Sequence, residues 1–374
     1  MLYMNKTLLS TIIATCLTMT NQAEAQNSNS FIGRQTPTIN ERTFTPEALW
    51  AMGRIGGYDI APDAKSAVYN VSYYSVEQNK SHTVIYTINT DGSGEKLLTT
   101  SNGSEVAPKY IANGSQIAFL AADNNGTMQI WTMNPNGTER KQISNLPNDV
   151  DDFQFSPDGK MVLVIHTVKF GKRAADVHPD LNKTTGRVLN NAMYRHWDEW
   201  VEEIPHPFLA DFNGSSVENA VDIMSDEPFE CPMKPFGAAE TFAWSPDSKK
   251  LVYTSRKVTG KDYAFSTNSD LYLYDLEAKT TVNLTEGMLG YDTNPHFSPD
   301  GNTLAWADRE KLSLEQRNTP YVYGLTLANY NQRYEGGSSI QIDFDKTFGK
   351  KIINFISLHI KKLILQRGAS TVKY

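Results

Sequence analysis

The sequence predicts an all-β fold, a partial β-propeller of four-stranded blades, on three observations. First, a turn of Pro-Asp-Gly type recurs five times in similar company: Pro62-Asp63, Asn113-Gly114, Ser156-Pro157-Asp158-Gly159, Ser245-Pro246-Asp247 and Ser298-Pro299-Asp300-Gly301. Second, each turn is followed by an apolar, strand-like stretch, namely Ser66 to Val71, Gln116 to Leu120, Met161 to Thr167, Leu251 to Thr254 and Thr303 to Trp306. Third, the equivalent turn positions lie 50, 45, 89 and 53 residues apart, close to one blade per step or twice that. Proline presets its own φ, aspartate bonds nearby amides, and glycine or asparagine accepts a positive φ, so each turn joins two antiparallel strands. Between them lie second hairpins marked by Asp91-Gly92 and Asn136-Gly137, which supply the other two strands of a blade. A sandwich with Pro-Asp turns is the other all-β arrangement, but five matches with the same neighbours favour blades.

Composition narrows the function classes. The 374 residues are 40% hydrophobic and 21% charged, which is the balance of a globular chain and not of a disordered or collagen-like one. A net charge of -7 offers no broad basic field for a phosphate backbone, so nucleic acid is not an expected partner. With only Cys16 and Cys231 there is neither a disulfide framework nor a four-thiolate zinc site.

Read in order, the chain begins with a signal peptide over 1–25. Met1 to Lys6 supplies the positive start, Leu8 to Met19 the apolar core, and Ala23-Glu24-Ala25 the small-x-small cleavage site. Cleavage after Ala25 removes Cys16, sends the chain to a secreted or periplasmic location, and leaves Cys231 as a buried small apolar group. Residues 26–44 are rich in Asn, Ser, Thr and Pro and read as a linker; blades are expected over 45–307. The 89-residue step holds either two blades or one blade with a large insertion, and an insertion at about 169–225 is the preferred reading. No later segment is apolar for long enough to cross a membrane. From 308 to 374 the blade pattern fails, and Lys346 to Tyr374 carries seven Lys or Arg and no acid, as a shifted frame or a truncation would produce.

The run from His196 to Phe208 is where chemistry is expected. Asp198, Glu199, Glu202 and Glu203 fall within six residues, beside Trp197, Trp200, His196 and His206. If the run is helical, Asp198, Glu199 and Glu202 share one face, which gathers negative charge and raises the local carboxyl pKa values. Such a cluster suits a cationic ammonium group, with tryptophan faces assisting. Two other readings stay open: a metal held by His196, the acids and His206, against which Pro205 and Pro207 break helical spacing, and a structural one with packed tryptophans and solvated acids. No metal and no cofactor is expected.

Taken together, several stretches resemble the propeller half of dipeptidyl peptidase V-like members of the prolyl oligopeptidase family of serine peptidases. They are the Ser-Pro-Asp-Gly repeats, Lys169 to Arg173, Met193 to Trp200, Ser266 to Asp270 and Glu286 to Thr293. The resemblance covers about residues 45 to 307. It implies a propeller that caps an α/β-hydrolase domain, short peptides as substrates, and acids on a propeller insertion that hold the free N-terminus. Asp198-Glu199-Trp200-Val201-Glu202-Glu203 is similar to the segment with that role in dipeptidyl peptidase IV, so the resemblance points to Glu202 and Glu203, with Glu199 and Trp200 as neighbours. The family's chemistry needs a Gly-x-Ser-x-Gly serine, and no serine here has glycine at both positions. No catalytic residue is therefore assigned, hydrolysis by this chain alone is not expected, and a hydrolase domain is an expected partner. The alternative is a non-catalytic envelope propeller that binds proteins or glycans.

Overall fold

The computed structural model describes residues 31–36, 44–196, 198–234, 237–308 and 321–326; the expected signal peptide, most of the linker and most of the basic tail lie outside them. The chain forms two compact units. The first holds helix α1 (Pro46–Ala51) and two antiparallel sheets in chain order: β1 (Arg54–Ile60), β2 (Ser66–Ser75), β3 (Lys80–Asn89) and β4 (Lys96–Leu97), then β5 (Glu105–Ile111), β6 (Gln116–Ala122), β7 (Met128–Met133) and β8 (Lys141–Gln142). Each sheet is one blade of a β-propeller.

The second unit opens its first blade with β9 (Asp152–Phe155) and β10 (Met161–Lys169). The chain then leaves the sheet for a 33-residue excursion over 170–202. It contains the pair β11 (Lys172–Arg173) and β12 (Arg187–Val188), the short helix α2 (Ala174–Val177), and the pair β13 (Arg195–His196) and β14 (Glu199–Trp200). It returns as β15 (Glu203–Phe212) and β16 (Val217–Asp222), which complete the blade. The insertion is thus shorter than the 169–225 expected, because Glu203–Phe212 and Val217–Asp222 are strands of the blade itself. The next blade is β17 (Phe242–Trp244), β18 (Lys250–Ser255), β19 (Asp270–Asp275) and β20 (Thr280–Asn283), with helix α3 (Asp262–Phe265) between its second and third strands. The last sheet is β21 (Thr293–Phe297), β22 (Thr303–Asp308) and β23 (Tyr321–Thr326). The pattern therefore continues past 307, where it was expected to stop: Tyr321–Thr326 pairs with Thr303–Asp308 along its whole length.

Pro205 and Pro207 show why residues 203–212 can be a strand at all. Proline donates no ladder bond, so it belongs where no acceptor waits beside the strand. Beside these two residues β15 pairs only with β10, and its outer carbonyls are met by loop amides instead: Cys231 N donates to Pro205 O at 2.8 Å and Ile223 N to Pro207 O at 3.1 Å.

The inner strands read as continuous apolar runs because both of their faces are buried. In β18, Leu251 and Tyr253 pack with Leu163 and Ile165 of the preceding blade, while Val252 between them packs with Leu304 and Trp306 of the following sheet. Strand alternation sends neighbouring residues to opposite faces, so one strand serves two interfaces. Cys231, fully buried, joins the first of these clusters; burial pushes its thiol up, and Sγ rests 3.3 Å from the Thr254 carbonyl.

The repeated turns share one hydrogen-bond design. Ser156 Oγ donates to Asp158 Oδ1 at 2.7 Å, and the same oxygen accepts from Lys160 N. Ser245 with Asp247 and Ser298 with Asp300 repeat it at 2.6 and 2.5 Å. The turn's last residue has φ of 67° at Gly159, 60° at Ser248 and 71° at Gly301, which favours glycine in two of the three. The serine hydroxyls hold all three aspartates below the usual carboxylate range. A depressed folded-state pKa gives stability that is present above the unfolded value, about pH 4, and lost as pH falls through the folded one. The melting temperature is therefore expected to fall steeply below about pH 4, and the combined Asp158→Asn, Asp247→Asn and Asp300→Asn variant to show a flatter acid limb in calorimetry.

Candidate functional site: the insertion hairpin and its carboxylates

The acidic run is a β-hairpin and not a helix. Arg195 faces Trp200 and His196 faces Glu199 in β13 and β14, and Val201 N extends the pair by donating to Tyr194 O at 3.0 Å. Trp200 and Val201 favour the extended form, and Pro205 and Pro207 prevent a helix from continuing through the segment. Asp198, Glu199 and Glu202 consequently do not share a helical face. Trp197 lies outside the described residues.

Alternation separates the functions of 200, 201 and 202. Val201 is buried with Met193, Ile204 and Tyr263, and it lines a cavity of about 310 Å³ together with Phe170, Leu189 and Tyr194. Trp200 and Glu202 instead meet Arg187: its guanidinium lies 4.5 Å from the Trp200 ring and Nη2 lies 2.7 Å from Glu202 Oε1. Arg195 stacks on the same ring at 5.3 Å. Trp200 is 42% exposed, so it is a surface platform between two cations and not core.

Glu202 is held from several directions. Its carbonyl accepts from Phe170 N and Gly171 N, both at 2.9 Å. Only glycine permits that approach at 171, since a Cβ there would stand 2.8 Å from Val201 O and 3.0 Å from Glu202 Cα. Its Oε2 accepts from Arg173 through Nε at 3.0 Å and through Nη2. Arg173 lowers the Glu202 carboxyl, with Arg187 adding to the effect, where a cluster of bare acids was expected to raise it. Asp176 in turn accepts from Arg173 N at 2.8 Å and pairs with Lys169 at 2.6 Å.

The other anticipated residues are placed differently. Glu203 opens β15 opposite Lys169, and its Oε2 accepts from Thr167 Oγ1 at 3.0 Å. Glu199 sits exposed at the hairpin end. The two histidines lie in separate networks: His206 Nδ1 is 2.8 Å from Asp222 Oδ2, and His196 Nε2 is 2.8 Å from Glu230 Oε2.

Glu230 is the residue that sequence reasoning missed. It is 1% exposed, yet its carboxylate faces His196, accepts from Tyr263 OH at 2.9 Å, and has Arg256 Nη2 at 3.7 Å. Arg256 covers the Tyr263 ring at 4.0 Å, and burial pushes the Tyr263 hydroxyl up. The network ties the hairpin to α3 and to the end of β18. Its only sequence signal is a lone acid in the apolar Pro228-Phe229-Glu230-Cys231-Pro232 stretch, which names none of its partners.

Chain-ordered four-stranded blades, one of them interrupted by a polar insertion, define a β-propeller. The fold is shared with acylaminoacyl peptidase of Pyrococcus horikoshii, at a TM-score of 0.50 and 17% identity, over 72% of this chain and 38% of that one. In sequence the chain is 44% identical over 283 residues to dipeptidyl-peptidase 5 of Porphyromonas gingivalis, 75% of this chain and 41% of that protein. It is 41% identical over 313 residues to dipeptidyl-peptidase 5 of Porphyromonas endodontalis, 83% of this chain and 45% of that protein. What the chain shares with dipeptidyl-peptidase 5 is thus the β-propeller portion of a prolyl oligopeptidase-family peptidase. It spans less than half the length of these relatives. No family model matches the chain.

Proposed function

We propose that this chain is the peptide-admitting and N-terminus-anchoring part of a secreted dipeptidyl peptidase, in which Glu202 and Glu203 receive the α-ammonium of a short peptide. Glu199 and Trp200 line the approach. A carboxylate at fixed distance from a cleavage centre measures two residues from the free amine, which is how an anchor sets a dipeptide product. The role assigned to these residues is binding; bond cleavage is assigned to a hydrolase domain of the kind this family carries. The secreted location rests on the Leu8 to Ala25 sequence.

The observation that carries the reading is the Glu202 carboxylate, presented by a blade insertion and engaged by guanidinium groups at both oxygens: the position is built for cations. No helix among the described residues is long and apolar enough to cross a membrane.

Calorimetric titration of the full chain with Ala-Ala-Phe and with its N-acetylated form tests the anchor. The free amine is expected to bind about tenfold more tightly, or better, and Glu202→Gln with Glu203→Gln to abolish that preference. Equal binding of both peptides to the unaltered protein rejects the anchor and favours a propeller that binds proteins or glycans.

A further inference from the structure

The Glu202 carboxylate has two arginines where one would neutralise it, and the two are held very differently. Arg187 is three-quarters buried, with its guanidinium stacked on Trp200. The Arg173 side chain is 64% exposed, and among the described residues its guanidinium bonds to no side chain but Glu202. The Arg173 guanidinium thus stands as the resident cation of Glu202. A planar guanidinium and a primary ammonium are both cationic N–H donors and compete for the same carboxylate lone pairs.

We infer that Arg173 is a displaceable latch: it occupies the ammonium position of the peptide-free protein and swings out when a peptide amine arrives. The inference rests on the proposed anchor at Glu202 and Glu203. Exposed pairs of this type contribute little net stability, so the latch opens at small cost, while Arg187 stays on Trp200 and keeps the carboxylate oriented. The latch makes Arg173 a specificity-determining residue: a ligand engages the anchor only if it presents a cation able to replace it, which N-blocked peptides lack. Its backbone N–H, bonded to Asp176, keeps the segment in place when the side chain moves.

Two cations that exclude one another give a prediction whose sign separates this role from a merely structural one. Arg173→Met is expected to bind Ala-Ala-Phe about five- to tenfold more tightly, with the N-acetylated peptide unchanged, and Arg173→Lys to lie between. Methylguanidinium added to Arg173→Ala should restore competition against the free-amine peptide and leave the acetylated one alone. Weaker or unchanged binding of the free amine to Arg173→Met, in a protein whose amine preference is lost in Glu202→Gln with Glu203→Gln, overturns the latch alone. An amine preference that survives removal of both glutamates overturns the anchor and the latch with it.

Discussion

Glu230→Ala is expected to destabilise the second unit by about 3–5 kcal/mol, the scale of removing one partner from a buried ionic network. The carboxylate is the shared acceptor of three elements: His196 on the insertion hairpin, Tyr263 on α3 and Arg256 after β18. Deleting it leaves Arg256, whose side chain is only 16% exposed, without its carboxylate, and leaves the Tyr263 phenol with only the longer 3.3 Å contact to His196 Nε2. Glu230→Gln keeps an acceptor for Tyr263 and removes only the charge, so it should cost roughly half as much. Urea titration with a constant m-value checks both, and a loss below about 1 kcal/mol for the alanine variant would show that the network is not structural. Because His196 pairs with Glu199 on the hairpin that leads into Glu202, Glu230→Ala should also weaken free-amine peptide binding more than it weakens binding of the acetylated form.

The blades were legible in the sequence because the information that makes a tight turn is local. Ser-Pro-Asp-Gly carries its own hydrogen bonds, and the apolar runs after it, such as Val162-Leu163-Val164-Ile165, declare strands buried on both faces. The bounds of the insertion were not legible, since Glu203 to Phe212 mixes acids, prolines and aromatics and becomes a strand only because β10 lies alongside. The site was legible as residue types and not as geometry. Four acids in six residues suggested mutual repulsion, but the Glu202 carboxylate, the proposed anchor, is paired with Arg173 and Arg187, 29 and 15 positions upstream, brought in by the β11 and β12 pair. Helical spacing gave the wrong neighbours for the same reason: a two-residue hairpin reverses which side chains share a face. Glu230 was invisible because all its partners are distant in sequence and a single buried acid has no period.

Phe119→Ala is expected to cost the first unit about 3–5 kcal/mol, because its blades are held together by side chains that meet face to face. Phe119 is fully buried from solvent, in one cluster with Val68, Ile85 and Leu98 of the first blade and Ile117, Ala121 and Met133 of the second. Ile117, Phe119 and Ala121 alternate along β6, so a single strand presents all three to the neighbouring sheet. Short β4 and β8, two residues each, add little to either sheet by hydrogen bonding, and the blade faces must supply the cohesion instead. Truncation of Phe119 removes the largest fully buried side chain of that contact, and close-packed β-sheet neighbours collapse into the cavity only in part. Hydrogen exchange gives the local readout: amides of β3 and β6 should lose protection together in Phe119→Ala, while those of β18 and β19 in the second unit keep theirs. Loss of protection confined to β6 would mean that the first blade is held by its own ladder and not by its neighbour. The expected joint loss follows from the same design that lets the second unit carry a 33-residue insertion: a blade whose stability comes from its faces tolerates a long excursion between two of its strands.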